Sequence, residues 1–368
     1  MSFYLGRFHL IRPPHEFSQQ EILEWIAHEH ASAQAKSGEE LGFYEEIRER
    51  LMRVGMGSDK IQRRGTLLKE VTSLDSVREI YDQSESAVGA GLQKRMSFFE
   101  TAVNQLFEEF YPEGCIAPSH LIHVTCTGYA SPSGAQHIVS KRGFGAETVV
   151  THAYHMGCYA SIPALRMATG MRSIVDLVHT ELCTLHMNPL LHETEQLVVQ
   201  SLFADGFIKY SVSQEPDIYK ILGLHEEILP ETCDLMSWRL EDWGMRMTIA
   251  KEVPVVLSRA LPSFIERLQK RSNWSGRSES PLLFAIHPGG PKIIDQIQKM
   301  LKLSDEQVYH SKEVLKTMGN MSSATLPHVW EKIACDENVK PGSAVLSLAF
   351  GPGLTACGAI FEKGAPHV

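Results

Sequence analysis

The chain has 368 residues, 43% of them hydrophobic and 21% charged, enough to bury a large core as two domains or one duplicated unit. A formal charge of −9 excludes a broad nucleic-acid-binding face and leaves room only for a local anion site. No apolar run is long enough to span a bilayer, and MSFYLGRFHLIRPP lacks the apolar stretch of a signal peptide, so a cytoplasmic chain with no membrane contact is expected.

In chain order, residues 19–35 and 39–54 space their apolar side chains by three and four, which predicts two amphipathic helices, and 73–110 continues in the same style. HLIHVTCTG (120–128) reads as a buried strand, 147–170 as strand, sharp turn and helix, and 172–182 as another strand. From about 217 the cycle restarts. A helix is expected over 253–271, a strand ending in a Gly-Pro turn over 281–290, a turn and helix over 318–333, and two strands around a Gly-rich bend over 343–363.

The two runs are parallel. LIHVTCTG corresponds to LLFAIHPGG, and MGCYAS (156–161) to MGNMSS (318–323), so the chain reads as a duplicated α/β unit with a period of about 160 residues, too long for a solenoid. Residues 1–216 form a half that carries Cys158, and 217–368 a half that carries His287 and Asn320. Equivalent turns of a pseudo-symmetric pair meet near the axis, which predicts that Cys158 and Asn320 lie close together, with His287 arriving from its own strand end.

A cysteine at the first turn of a helix is expected to have a lowered pKa from free N–H groups and the helix dipole. An imidazole at His287 would hold the thiolate or donate to developing negative charge, and the Asn320 amide donates without changing protonation state. The plainer readings are a satisfied core histidine for His287, against which Pro-Gly-Gly argues, and a helix N-cap for Asn320. Cys115, Cys233, Cys335 and Cys357 read as small core residues. With no C-x-x-C pair, all seven cysteines are expected as reduced thiols. His28/His30, His120/His123 and His152/His155 lack completing ligands, so no metal is expected. GFG (143–145) and GPG (351–353) are glycine turns, not a dinucleotide fingerprint.

GC-x-x-S opening a helix, IHPGGPKIIDQIQ, GNMSSAT and AFGPGLT, in that order, resemble the type III polyketide synthases, the chalcone synthase-like branch of the thiolase superfamily. The likeness runs from about residue 61 to the C-terminus and more loosely before it. It implies a thiolase-like, duplicated αβαβα fold in five layers and a homodimer. It also implies acyl-CoA and malonyl-CoA as substrates, with no tightly bound cofactor. By that similarity Cys158 carries the acyl chain, while His287 and Asn320 hold the malonyl thioester as carbon dioxide leaves. The extended chain then closes to a pyrone, resorcinol or related aromatic product.

Phe203 matches a gatekeeper phenylalanine, although Ala204 stands where relatives have glycine. Met247 falls where a second gatekeeper phenylalanine usually sits. Cys126, Cys183, His186, Trp238 and Ser322 fall at positions that shape the cavity in relatives. Trp238 replaces a glycine of the plant enzymes, which argues against chalcone formation. Of the basic run over 48–64, which contains Arg48, Arg50, Arg53, Lys60, Arg63 and Arg64, the resemblance points to Arg53, Lys60 and Arg63 for CoA, together with Gly289, Gly290 and Lys292 along the tunnel.

Three other readings share parts of this pattern. A papain-like cysteine hydrolase has the same Cys, His, Asn order, but C-G-[SA]-C-[WY] is missing and a protease has no reason to place its Asn on a copy of its Cys turn. The others are a non-catalytic thiolase-fold protein and a ketosynthase III-like enzyme that makes one condensation.

Overall fold

The computed structural model describes residues 2–36, 42–71, 78–171, 173–274 and 282–365. Strand β1 (Phe3–Ile11) comes first, then β2 (His15–Ser18), α1 (Gln19–Lys36), α2 (Phe43–Val54), β3 (Arg63–Thr66) and α3 (Leu92–Phe110). The chain continues through β4 (His120–Thr125), α4 (Gly134–Arg142), β5 (Val149–Tyr154), α5 (Ser161–Gly170) and β6 (Val175–Leu182). A 3-10 turn (Cys183–His186), α6 (Thr194–Leu202) and β7 (Asp205–Ser213) complete the first run.

The second run begins with β8 (Tyr219–Ile228), a hairpin of β9 (Met236–Glu241) and β10 (Gly244–Ile249), α7 (Val253–Arg271) and β11 (Leu283–Ile286). It ends with α8 (Pro291–Leu301), α9 (Asp305–Met318), a 3-10 turn (Ser322–Ala324), α10 (Thr325–Cys335), β12 (Ala344–Gly351) and β13 (Thr355–Lys363).

Nine strands join in the order β11-β12-β13-β8-β1-β7-β6-β4-β5. The order has an internal symmetry. In β1-β7-β6-β4 the pairs are antiparallel, antiparallel and parallel, and β8-β13-β12-β11 repeats that sequence of directions. β1 and β8 pair with each other and join the two sets. The first set has one more strand, β5, at its edge.

Alternation along the strands sends side chains into separate cores. On β12, Val345 and Ala349 point to a central core, and Leu346, Leu348 and Phe350 to an outer one. The central core holds α5 and α10 between the two half-sheets, with Trp330 fully buried. α1–α4 pack on the outer face of the first half-sheet, and α7–α9 on that of the second. This is a five-layered αβαβα stack, as expected.

Two readings need correction. Residues 39–41 and 73–77 lie outside the described residues, and the helix expected over 73–110 begins only at Leu92. Before it, the Glu70 carboxylate accepts the N–H groups of Glu79, Ile80 and Tyr81, which takes these donors out of any helical ladder. Gly89, at φ +74°, then turns the chain beneath Ile80, whose carbonyl accepts the Ala90 N–H at 2.7 Å. The second correction is β1, a central strand in a segment read only as lacking a signal sequence. Among the described residues no helix is long and apolar enough to cross a membrane.

Gly206 on β7 lies against Met321, the residue after Asn320. A Cβ there would sit 2.5 Å from the Met321 sulfur and 2.6 Å from its Cβ. Gly206→Ala is therefore expected to cost about 1–3 kcal/mol by overpacking, seen as a lower denaturation midpoint in urea. An unchanged midpoint would show that the Met321 turn yields.

Candidate active site

β5 ends at Tyr154, and Gly157, at φ +86°, reverses the chain beneath Pro352, which lies 2.8 Å from where a Cβ would be. The Ala160 N–H closes the turn on the Gly157 carbonyl at 3.1 Å. Helix α5 starts at Ser161, so Cys158 lies in the turn ahead of the helix rather than within its first turn. Its thiol is 6% exposed. Burial pushes this thiol up to about 12, against hydrogen bonds from Ser322 and Asn320 that pull it down, and the nearby Glu181 carboxylate pushes the same way as burial. The expected lowered thiol is overturned because desolvation outweighs the helix terminus.

The copied turn is built in the same manner. Gly319, at φ +76°, ends α9 where Arg64 and Ala204 leave no room for a Cβ. The Asn320 N–H donates to the Leu202 carbonyl at 3.1 Å, and its carbonyl accepts the Ala204 N–H at 2.8 Å, which pairs Asn320 with Phe203 as a one-residue parallel bridge. The side-chain Oδ1 accepts from Ser322 N–H at 2.9 Å and Thr325 Oγ at 3.2 Å. Asn320 thus caps the 3-10 turn through its oxygen, while α10 itself has Ala324 at its N-cap. With the oxygen occupied, the amide N–H groups are left to donate toward Cys158. Ser322 Oγ sits 3.8 Å from the Cys158 sulfur and 2.8 Å from that of Cys126.

His287 follows β11, with its N–H on the Leu348 carbonyl at 2.7 Å and its carbonyl accepting the Gly289 N–H at 2.8 Å. The ring is 2% exposed, and neither nitrogen has a partner. Buried His123, His179 and His186 each bond through both nitrogens. Burial pushes the imidazole of His287 down to about 3. With the thiol raised and the ring lowered, both groups rest neutral, so of the two roles expected for His287 a neutral ring serves the second, donation to developing negative charge. The loop reaches the Asn320 turn through Leu202, which is the side chain nearest to Gly290 and the residue whose carbonyl holds Asn320.

Phe203, Cys183, His186, Trp238 and Met247 line one cavity with Arg64. Cys158, His287 and Asn320 are not in its lining, and Phe203, which faces the cavity while its backbone pairs with Asn320, is the junction. Cys126 and Ser322 belong to the Cys158 side instead. Trp238 Nε1 donates to the Cys126 carbonyl. His186 bonds the Thr127 carbonyl at 2.8 Å and the Met245 N–H at 3.2 Å, and burial pushes it down to about 3, which makes it a neutral, fixed wall.

Two buried groups were missed from the sequence. Glu181 accepts from Cys126 N–H, Thr127 Oγ and Ser323 Oγ, and orders the strand ends around Cys158. HTEL carries no signal for it. Arg64 was read only as one member of a basic run but is 3% exposed. In that run Arg48 is tied to Glu24 and Arg50 to the His192 carbonyl, whereas Arg53, Lys60 and Arg63 are exposed, with Lys60 3.7 Å from Asp59. Lys292, on the first turn of α8, is exposed, and Gly289 and Gly290 are half-buried before it, with Gly290 at φ +149°. All seven cysteines are free, and of the four read as core residues only Cys357 is buried; Cys115 is half-buried, while Cys233 and Cys335 are exposed. No cluster of three or more metal-ligating side chains occurs among the described residues.

Residues 221–363 match the family model of chalcone and stilbene synthases, C-terminal domain. The chain is 28% identical over 252 residues to type III polyketide synthase C of Arabidopsis thaliana, covering 64% of this chain and 65% of that protein. It is 28% identical over 258 residues to probable polyketide synthase 1 of Dictyostelium discoideum, covering 67% of this chain but 8% of that much longer protein. The match thus spans under two thirds of either relative's length. In fold it is similar to the C-terminal type III polyketide synthase domain of Steely1, a type I/III hybrid from Dictyostelium, with a TM-score of 0.82 at 21% identity over 99% of this chain and 100% of that one. Turn motifs, domain match and sheet order point the same way: the C-terminal part of the chain matches the chalcone and stilbene synthases, and the whole is similar in fold to a type III polyketide synthase domain.

Proposed function

We propose that the chain loads a starter acyl-CoA on Cys158 and extends it by decarboxylative condensation with malonyl-CoA, then cyclises the product to a pyrone, resorcinol or related aromatic. Cys158 sulfur attacks the starter thioester and CoA leaves. Malonyl-CoA, its thioester carbonyl held by His287 and Asn320, loses carbon dioxide to give an enolate. That enolate attacks the acyl carbonyl and releases the Cys158 sulfur. A neutral imidazole and an amide are suited to this step, because both donate to oxygen charge as it develops without first giving up a proton.

The observation that carries the reading is His287, buried with both ring nitrogens unbonded in a protein that satisfies His123, His179 and His186 completely. The reading brings with it two thiolase-like halves at 1–216 and 217–368, a homodimer, a cytoplasmic location, no tightly bound cofactor, and CoA held by Arg53, Lys60, Arg63, Gly289, Gly290 and Lys292. A ketosynthase III-like single condensation is favoured by one feature: the rings of Trp238 and His186 meet edge-on with centroids 5.7 Å apart and fill part of the cavity.

Mass spectrometry of products from malonyl-CoA and a panel of acetyl, long-chain and aryl starters tests both. Oligoketides, pyrones or resorcinols support the synthase. A single β-ketoacyl product moves the chain to the ketosynthase reading, and no CoA release from any starter ends both.

A further inference from the structure

The cavity beyond Phe203 carries a charge that the protein does not neutralise. Arg64 donates from Nε to Gln19 Oε1 at 2.8 Å, and from Nη1 to the carbonyls of Gln200 at 2.9 Å and Phe203 at 2.6 Å. Its Nη2 is buried without a partner, and among the described residues it makes no ion pair within 4 Å. Asp205 is the carboxylate that supports its charge from a distance, but its oxygens are taken by Leu67 N–H, Thr184 N–H and the Thr184 hydroxyl. Burial lowers the guanidinium to about 9, so it stays charged at neutral pH.

A second donor stands in the same wall. Trp25, 6% exposed, lines the cavity, and its Nε1 has no partner either. Among the described residues no acidic side chain lines the cavity, and the rest of the wall is largely apolar, with Ile22, Ile26, Met245 and Met247. A buried cation without a counter-charge is costly, and buried donors left unpaired are rare. An alkyl occupant leaves both unpaired. A carboxylate supplies the missing counter-charge and two acceptor oxygens, one for each donor.

We propose that this cavity takes the far end of a starter acyl group bearing a carboxylate, a short dicarboxylic mono-thioester, with that carboxylate held by Arg64 Nη2 and Trp25 Nε1. The proposal rests on the reading of Cys158 as the residue that carries the starter. The chain passes Phe203, whose backbone pairs with Asn320 and whose carbonyl holds Arg64. A merely structural Arg64, clamping Gln19, Gln200 and Phe203, would not distinguish one starter from another.

The test follows acylation of Cys158 by intact-protein mass spectrometry, with glutaryl-CoA and pentanoyl-CoA at equal concentration and acetyl-CoA as reference. Glutaryl loading is expected to be about tenfold faster or more than pentanoyl loading, in line with hydrogen bonds to a charged group. Trp25→Phe, which keeps the ring in place, should slow glutaryl loading about tenfold more than pentanoyl loading. Arg64→Met should invert the preference. Equal loading of the two by the parent, or a Trp25→Phe effect that is the same for both, overturns the proposal. Acylation by none of the three thioesters takes down the reading of Cys158 as well, and so separates the two failures.

Discussion

Cys158→Ala is expected to form no elongated product, a loss of at least about a thousandfold, yet to go on releasing carbon dioxide from malonyl-CoA. Decarboxylation needs only that the thioester oxygen be held as charge moves onto it, and the groups assigned to that are His287 and the Asn320 amide. His287→Ala should therefore lose both activities, with decarboxylation down about 10²–10³-fold, the usual effect of removing one oxyanion donor. The measurement is carbon dioxide release and acetyl-CoA yield beside product mass for each variant, with circular dichroism to confirm the fold. Equal loss of decarboxylation in Cys158→Ala and His287→Ala would show that the thiol takes part in breaking the malonyl bond, and the division of labour would be wrong.

Acidification below pH 6.5 is expected to unfold the protein steeply. His30, His123, His179, His186 and His287 are pushed down to about 3 by burial, and His328 to about 4. Unfolded, each titrates near 6.5, so between that value and the folded one the unfolded chain binds protons that the folded chain does not. Stability from these groups is fully present above pH 6.5 and is lost as pH falls, by up to about 1.4 kcal/mol per pH unit for each.

Some carboxyl groups oppose this. Burial raises Asp205 to about 6 and also raises Glu29 and Glu181, so the folded state binds their protons first and gains as pH falls through that range. The six histidines outnumber these carboxyl groups, so on balance unfolding takes up protons as pH falls below 6.5. Urea midpoints at pH 7.5, 6.5 and 5.5 check this. A midpoint that stays level across the series would mean that the histidines are charged in the folded state.

The paired turns that carry Cys158 and Asn320 were legible because the same local problem is solved twice in one chain. A glycine at positive φ, a polar residue and small side chains leave a mark in the sequence, as MGCYAS and MGNMSS do. Amphipathic α1, α2 and α7 were legible through their spacing. The charge state of Cys158 and His287 was not, because it depends on how deeply distant elements bury them, and no neighbour in sequence reports that.

β1 was lost for a related reason. Arg7 breaks the apolar pattern, but in the structure it sits at φ 54° in an irregularity between Gly6 and His9 and turns its guanidinium to Glu215 at 3.3 Å. A bulge of this kind lets a charged side chain leave a central strand without breaking it. Arg64 shows the reverse case, since nothing in the basic run set it apart from its neighbours in sequence, whereas Gln19, Gln200 and Phe203 draw it inside.

The place of β1 between β7 and β8 also sets an order of events at the ribosome. Its two partners are completed only at Ser213 and Ile228, some two hundred residues after Ile11. At about 5–20 residues per second, this strand waits roughly 10–40 s with both edges unpaired. Through that interval an apolar strand is open to any other chain that offers an edge, and the nascent protein depends on whatever shields it.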